Sequence, residues 1–114
     1  GVIHDFTAKK TTLGVVGDGS FVNGVRITPG WVTDIKDACI MTGFPAAADK
    51  SGPAMQLFVQ QVGRYKKIRM IGSAALALAY VGEGLADTYY ESGTNLWDVA
   101  AGLAIIKASG AKVD

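Results

Sequence analysis

The segment TNLWDVAAG, residues 94–102, places one carboxylate at the start of an otherwise apolar helix pattern. Asn95 has the side chain of a helix N-cap, and Asp98 stands three positions later, where an acid bonds back to the backbone of the cap. The cap and the helix dipole both favour the charged carboxylate, which is also the form that a hard metal cation requires. These residues alone favour a cap and leave a metal-ligand role open.

Two more polar features are expected near Asp98. Gly72 and Ser73 follow a strand pattern and open a helix whose first side chain, Ala74, is tiny, so its free backbone N–H groups are accessible to an anion or a hydroxyl. Ser73 as a plain N-cap is the alternative interpretation. Glu91 lies at the end of the next strand pattern, seven positions before Asp98. Ligands of open α/β sheets collect at the carboxyl ends of strands, so the three features together predict a polar site there.

The order of apolar runs predicts the elements that carry these residues. Strands are expected at 2–3, 13–16, 21–22 and 25–27, with Asn23-Gly24 as a hairpin turn because both residues tolerate positive φ. The remaining predicted elements are strands at 37–42, 68–71, 86–91 and 112–113 and helices at 51–62, 74–81 and 96–108. Pro45 is expected to end the strand at 37–42. This order predicts an α/β fold, a mixed β-sheet with flanking helices on both faces after an N-terminal β-hairpin region.

Composition limits the classes of function. The 114 residues, 49% of them hydrophobic, suffice for the core of one domain. A net charge of +1 gives no electrostatic basis for binding nucleic acid or an anionic membrane. The longest apolar run, 72–82, is about half of the ~20 residues that span a bilayer, and the single Cys39 excludes an internal disulfide. A cytoplasmic protein is therefore expected.

Three segments resemble the inositol monophosphatase family of magnesium-dependent phosphatases. Residues 69–106, RMIGSAALALAYVGEGLADTYYESGTNLWDVAAGLAII, are similar to the family's R-x-x-G-[ST]-A-A helix and W-D-x-A-[AG]-G signature. GVVGDGSFVNG, residues 14–24, resembles its G-x-G-[AS]-F-x-N-G hairpin, and TGFP, residues 42–45, is typical of it. The resemblance covers almost the whole chain in order.

The resemblance implies a role for each matching residue. Asp98 would be a ligand of a catalytic Mg²⁺, and Glu91 would accept a hydroxyl of the substrate. Gly72, Ser73 and Ala74 would line the substrate pocket. The implied activity is hydrolysis of an inositol phosphate to inositol and phosphate. A fructose-1,6-bisphosphatase or bisphosphate nucleotidase of the same superfamily is one alternative, and a non-catalytic binding or regulatory module that keeps the fold is another.

The departures from the family pattern are equally informative. The family's other metal ligands lie on a Gly-Glu element and a D-P-x-D-G-T loop of its N-terminal half, and that half has no counterpart in this sequence. Residues 1–114 are therefore expected to form a C-terminal α/β domain, or part of one, with the N-terminal metal-binding half absent and with little activity alone. The expected partners are a small phosphate ester, the N-terminal domain of the same protein and, as an open alternative, a second copy in a homodimer. Trp97 is expected to pack at the start of its helix.

Overall fold

The N-terminal strands form an antiparallel sheet in sequence order. The computed structural model describes residues 1–44 and 47–114, so the expectation for Pro45 lies outside the described residues. The four strands are β1 (Val2–Asp5), β2 (Lys10–Val15), β3 (Gly19–Val22) and β4 (Val25–Ile27). Asn23 and Gly24 join β3 to β4 with φ of 47° and 82°. The predicted Asn-Gly hairpin is confirmed, because left-handed φ at both positions is what such a turn needs.

The rest of the chain alternates strands and helices. After a short 3₁₀ turn at Ile35–Asp37, the elements are β5 (Cys39–Met41), α1 (Gly52–Val62), β6 (Lys67–Arg69), α2 (Ala74–Gly82), β7 (Thr88–Tyr89) and α3 (Leu96–Ser109). The three strands form a parallel sheet in the order β6-β5-β7. The connection through α1 leads from β5 to β6 in one direction along the sheet, and the connection through α2 leads from β6 to β7 in the opposite direction. Because crossovers between parallel strands are right-handed, α1 and α2 lie on opposite faces of the sheet.

Helices α2 and α3 separate the two sheets. On one side, Leu78 and Val81 of α2 and Ile106 of α3 pack with Met41 of β5. On the other side, two further helix residues, Ala79 and Ile105, pack against Ile3 of β1. Helix α2 is apolar along its length and is covered by a sheet on one side and by α3 and the other sheet on the other, as an all-apolar helix requires.

The α/β class and the helices on both faces are confirmed. The strands divide between an antiparallel and a parallel sheet, since the apolar α2–α3 layer needs a sheet on each side. The strand expected at 112–113 is wrong: these residues are exposed and extend no ladder in the described chain, and a strand needs a paired neighbour. Within residues 1–44 and 47–114, no helix has both the length and the apolar character to cross a bilayer.

A polar anchor ties the end of α2 to the antiparallel sheet. The Lys10 ammonium donates to Oε2 of Glu83, the residue that follows α2. The Thr12 hydroxyl donates to Oε1 of the same carboxylate at 2.8 Å. The Glu83 side chain is only 7% exposed, so the ion pair and the hydrogen bond together compensate a largely desolvated charge. This anchor fixes the C-terminal end of α2, and the N-terminal end lies on the opposite side of the fold.

Glycines set the spacing of α3 from its neighbours. A Cβ on Gly102 of α3 would lie 2.4 Å from Cβ of Leu78 in α2. A Cβ on Gly14 of β2 would lie 2.4 Å from the backbone Cα of Ile105. Real Cβ atoms do not approach other atoms this closely, so α3 reaches its position only because both residues lack a side chain.

Replacing Gly102 with alanine is expected to destabilise the protein. The added methyl overlaps Leu78, and overpacking of this kind outweighs the helix propensity gained, for a net loss of about 1–2 kcal/mol in the free energy of unfolding. Urea denaturation measures the change. Gly52→Ala is the matched control, because a Cβ at that helix position meets nothing within 4 Å. A Gly102→Ala protein as stable as wild type would contradict the close contact.

Candidate functional site

A cleft of about 600 Å³ lies where the parallel strands end and α2 and α3 begin. It is lined by Gly43, Phe44, Gly72, Ser73, Ala74, Ala75, Glu91, Gly93, Thr94, Asn95, Trp97 and Asp98. Residues after β5, β6 and β7 all contribute, so the cleft sits at the carboxyl edge of the sheet, where open α/β folds bind ligands. The structure brings together all the residues that the sequence singled out, whereas their roles as ligands stay predictions.

The turn from β6 into α2 is shaped by Gly72 and Ser73. Gly72 has a φ of 74°, a left-handed conformation that side chains rarely adopt. Ser73 is the N-cap of α2, and its hydroxyl accepts a hydrogen bond from the N–H of Leu76 at 3.3 Å. The predicted cap is confirmed. Because Ala74 and Ala75 follow, the first turn of α2 presents backbone and methyl groups to the cleft.

Asp98 lies in the first turn of α3, whose N-cap is Asn95. Its Oδ2 accepts long hydrogen bonds from the backbone N–H and the side-chain amide of Asn95, at 3.4 and 3.5 Å. The predicted bond from the acid back to the cap backbone is confirmed. Both bonds use Oδ2, so Oδ1 is left for another partner.

Glu91 is held beside the strand edge by two neighbours. The Tyr89 hydroxyl donates to Glu91 Oε2 at 3.1 Å. A Cβ on Gly43 would lie 2.8 Å from the same oxygen, so the backbone after β5 closes around the carboxylate. Burial raises the pKa of the Tyr89 phenol well above its ordinary value, and the charge of Glu91, its hydrogen bond and the charge of Asp98 raise it further. The charges of Glu91 and Asp98 therefore both influence the Tyr89 hydroxyl.

The described residues do not form a complete metal centre. Among them, no group of three or more His, Cys, Asp or Glu residues is arranged to hold a metal ion. Mg²⁺ takes six oxygen ligands in octahedral geometry, some of them water and substrate oxygens. Asp98 offers one exposed carboxylate whose Oδ1 is not used by the bonds to Asn95, which fits a metal site that other parts of a protein complete.

Trp97 corrects one expectation. Its side chain is 80% exposed and forms part of the cleft wall, so the prediction that it packs at the start of α3 is wrong. At this helix position the side chain points away from the α2–α3 contact, which the face containing Gly102 makes instead. Sequence reasoning also missed Gly43, Phe44 and Tyr89. The spacing of Tyr89, two positions before Glu91 on an extended strand, was the available signal, because such residues share a face.

The fold and the cleft define an α/β protein with a polar cleft at the carboxyl edge of a parallel sheet. The model of the inositol monophosphatase family matches residues 1–114. Inositol monophosphatase 2 from Rattus norvegicus is 35% identical over 115 residues, which cover 96% of this chain and 39% of that protein. The chain therefore belongs to the inositol monophosphatase family.

Two further comparisons agree in sequence and in structure. A Thermotoga maritima protein named fructose-1,6-bisphosphatase/inositol-1-monophosphatase is 35% identical over 113 residues, covering 99% of this chain and 42% of that protein. The solved structure of Mycobacterium tuberculosis SuhB superposes with a TM-score of 0.91 at 30% identity, over 99% of this chain and 48% of that chain. The chain thus spans less than half the length of these relatives.

Removing the Ser73 hydroxyl is expected to weaken the start of α2. Ser73→Ala deletes the bond to the N–H of Leu76, and loss of an N-cap costs about 1 kcal/mol in the free energy of unfolding. Urea denaturation measures the loss. Ser51→Ala is the matched control, because Ser51 is the N-cap of α1 but makes no side-chain capping bond. Equal losses in the two variants would contradict the assigned cap.

Proposed function

We propose that this chain is the C-terminal α/β part of a magnesium-dependent phosphomonoesterase that hydrolyses an inositol phosphate to inositol and phosphate. The observation that carries the proposal is the cleft, where the starts of α2 and α3 meet Glu91 and Asp98 at the carboxyl ends of three strands. Membership of the inositol monophosphatase family supports the same chemistry.

Different cleft residues bind the phosphate part and the alcohol part of the substrate. Asp98 would hold a magnesium ion, since its bonds to Asn95 use only one of its two carboxylate oxygens. A bound Mg²⁺ supplies charge neutralisation on the phosphate and acidifies a coordinated water. Glu91 accepts a hydroxyl of the alcohol, and the corner formed by Gly72, Ser73 and Ala74 packs against the substrate.

The charges of the cleft support a requirement for a cation. Glu91 and Asp98 both line it, and a phosphate ester brings further negative charge. The N-termini of α2 and α3 offset part of this repulsion, since each helix start carries about half a positive charge. Two carboxylates exceed that compensation, so a divalent cation is needed before a phosphate binds between them.

The rest of the metal site is proposed to come from an N-terminal domain of the same protein. The described residues lack a group of three metal ligands, and the relatives are more than twice as long as the matched region. This chain then contributes one metal ligand and the alcohol pocket. A cytoplasmic location and a homodimer stay predictions.

A sugar bisphosphate is the second candidate substrate. The Thermotoga maritima relative is named for both fructose-1,6-bisphosphatase and inositol-1-monophosphatase. Both ester classes are compatible with the proposed role of Glu91, because a sugar and an inositol each carry hydroxyls that a carboxylate can accept. Rates with inositol 1-phosphate and fructose 1,6-bisphosphate, measured side by side on the complete protein, separate the two candidates.

Replacing Asp98 with asparagine is expected to abolish most magnesium-dependent turnover. In the complete protein, Asp98→Asn removes the charge of one metal ligand, so kcat/KM should fall at least about 100-fold. The fold should persist, because the asparagine oxygen still accepts the bond from Asn95. Steady-state rates across a magnesium titration, with circular dichroism, measure both effects.

Asp49→Asn is the matched control for this variant. Asp49 also accepts a backbone hydrogen bond at the start of a helix, from the N–H of Ser51 at 2.8 Å, but it does not line the cleft. It should leave turnover unchanged. An Asp98→Asn protein with wild-type turnover and metal dependence would contradict the ligand role. A wild-type protein that hydrolyses neither phosphate ester would instead support a binding or regulatory module.

A further inference from the structure

Glu91 stands where three cavities meet. It lines the cleft, a groove of about 720 Å³ beside β7, and a cavity of about 320 Å³ next to α1. Of the three, only the cleft also contains Ser73 and Asp98. A flexible glutamate at such a junction has several rotamers open to it. The Glu91 carboxylate stays in the cleft only if a neighbouring group restrains it.

Tyr89 supplies a restraint from the side away from the cleft. Its hydroxyl donates to Glu91 Oε2 at 3.1 Å. Tyr89 lines the groove beside β7 and is not among the residues that line the cleft. A ligand in the cleft therefore meets Glu91 and not Tyr89, so any influence of the phenol on that ligand passes through the carboxylate.

The Tyr89 ring is itself fixed. It packs against the core cluster that contains Met41, Leu78 and Ile106, which joins the parallel sheet to α2 and α3. A side chain anchored in this way presents its hydroxyl at a defined point. A phenol keeps its proton at neutral pH even at its ordinary pKa, and the raised pKa of Tyr89 acts in the same direction, so the hydroxyl is a donor.

Gly43 restricts the same carboxylate. A Cβ there would lie 2.8 Å from Oε2 and 3.0 Å from Cδ of Glu91. The absence of a side chain at Gly43 makes room for the carboxylate, while the surrounding backbone limits its movement. The hydrogen bond acts on Oε2, whereas a Cβ at Gly43 would also lie 3.0 Å from Oε1, so the Gly43 contact restricts the whole carboxylate.

We propose that Tyr89 is a positioning residue that holds the Glu91 carboxylate in the cleft, ready to accept a hydroxyl of the substrate alcohol. The inference rests on the proposed phosphatase function and adds a residue to its alcohol pocket. Tyr89 contributes preorganisation, because without its bond the Glu91 side chain must be ordered at the moment of binding.

The test is Tyr89→Phe in the complete protein, which removes one oxygen and keeps the ring in the core. With inositol 1-phosphate, KM should rise about tenfold while kcat changes less than about twofold, the pattern of a lost binding interaction. With p-nitrophenyl phosphate, which has no alcohol hydroxyl for Glu91, neither parameter should change. Tyr90→Phe, which removes the hydroxyl of the adjacent and more exposed tyrosine, is the matched control.

A double-mutant cycle separates positioning from a general structural effect. In a Glu91→Ala background, Tyr89→Phe should leave KM for inositol 1-phosphate unchanged, because the group it positions is gone. An unchanged KM in the single variant, or equal losses with both phosphate esters, would overturn the positioning role and leave the phosphatase proposal standing. A wild-type protein without activity on inositol 1-phosphate would overturn both.

Discussion

The close approach of α3 to α2 and to the antiparallel sheet is the constraint on which the site depends. Gly102 lets α3 touch Leu78, and Gly14 lets β2 touch the backbone at Ile105. With a side chain at either position, α3 would have to move outward or tilt, since a packed interior has no free volume to absorb a methyl group. The first turn of α3 would move with it, and Asp98 lies in that turn. The two glycines therefore determine how far Asp98 stands from Ser73.

The cleft combines two electrostatic tendencies. The starts of α2 and α3 favour anions, whereas Glu91 and Asp98 favour cations and hydroxyl donors. The proposed ligand, a metal-bound phosphate attached to a polyol, combines the same two tendencies. Each acid is also used by the local structure, Asp98 in capping α3 and Glu91 in its bond to Tyr89. These bonds restrain the carboxylates before any ligand arrives.

Local sequence signals made the hairpin turn, the helix caps and the convergence of the cleft residues predictable. The Asn23-Gly24 turn depends on the φ preferences of two residues, and the caps of α2 and α3 depend on Ser73 and on the Asn95 segment. The convergence of Ser73, Glu91 and Asp98 followed from the rule that ligands bind at the carboxyl ends of strands. The division into two sheets and the exposure of Trp97 depend on which faces meet in three dimensions, and sequence patterns do not encode that. The spacing of Tyr89 and Glu91 indicates only that their side chains share a face, because the hydrogen bond between them depends on their rotamers.

The most direct test of the account is a crystal structure of the complete protein with inositol phosphate and with Mn²⁺ in place of Mg²⁺, located by anomalous scattering. A metal peak is expected within about 2.5 Å of an Asp98 carboxylate oxygen, with the inositol ring between Glu91 and the start of α2. A metal bound without Asp98, with both carboxylate oxygens turned to the α3 cap, would contradict the assignment of this cleft as half of a phosphatase active site.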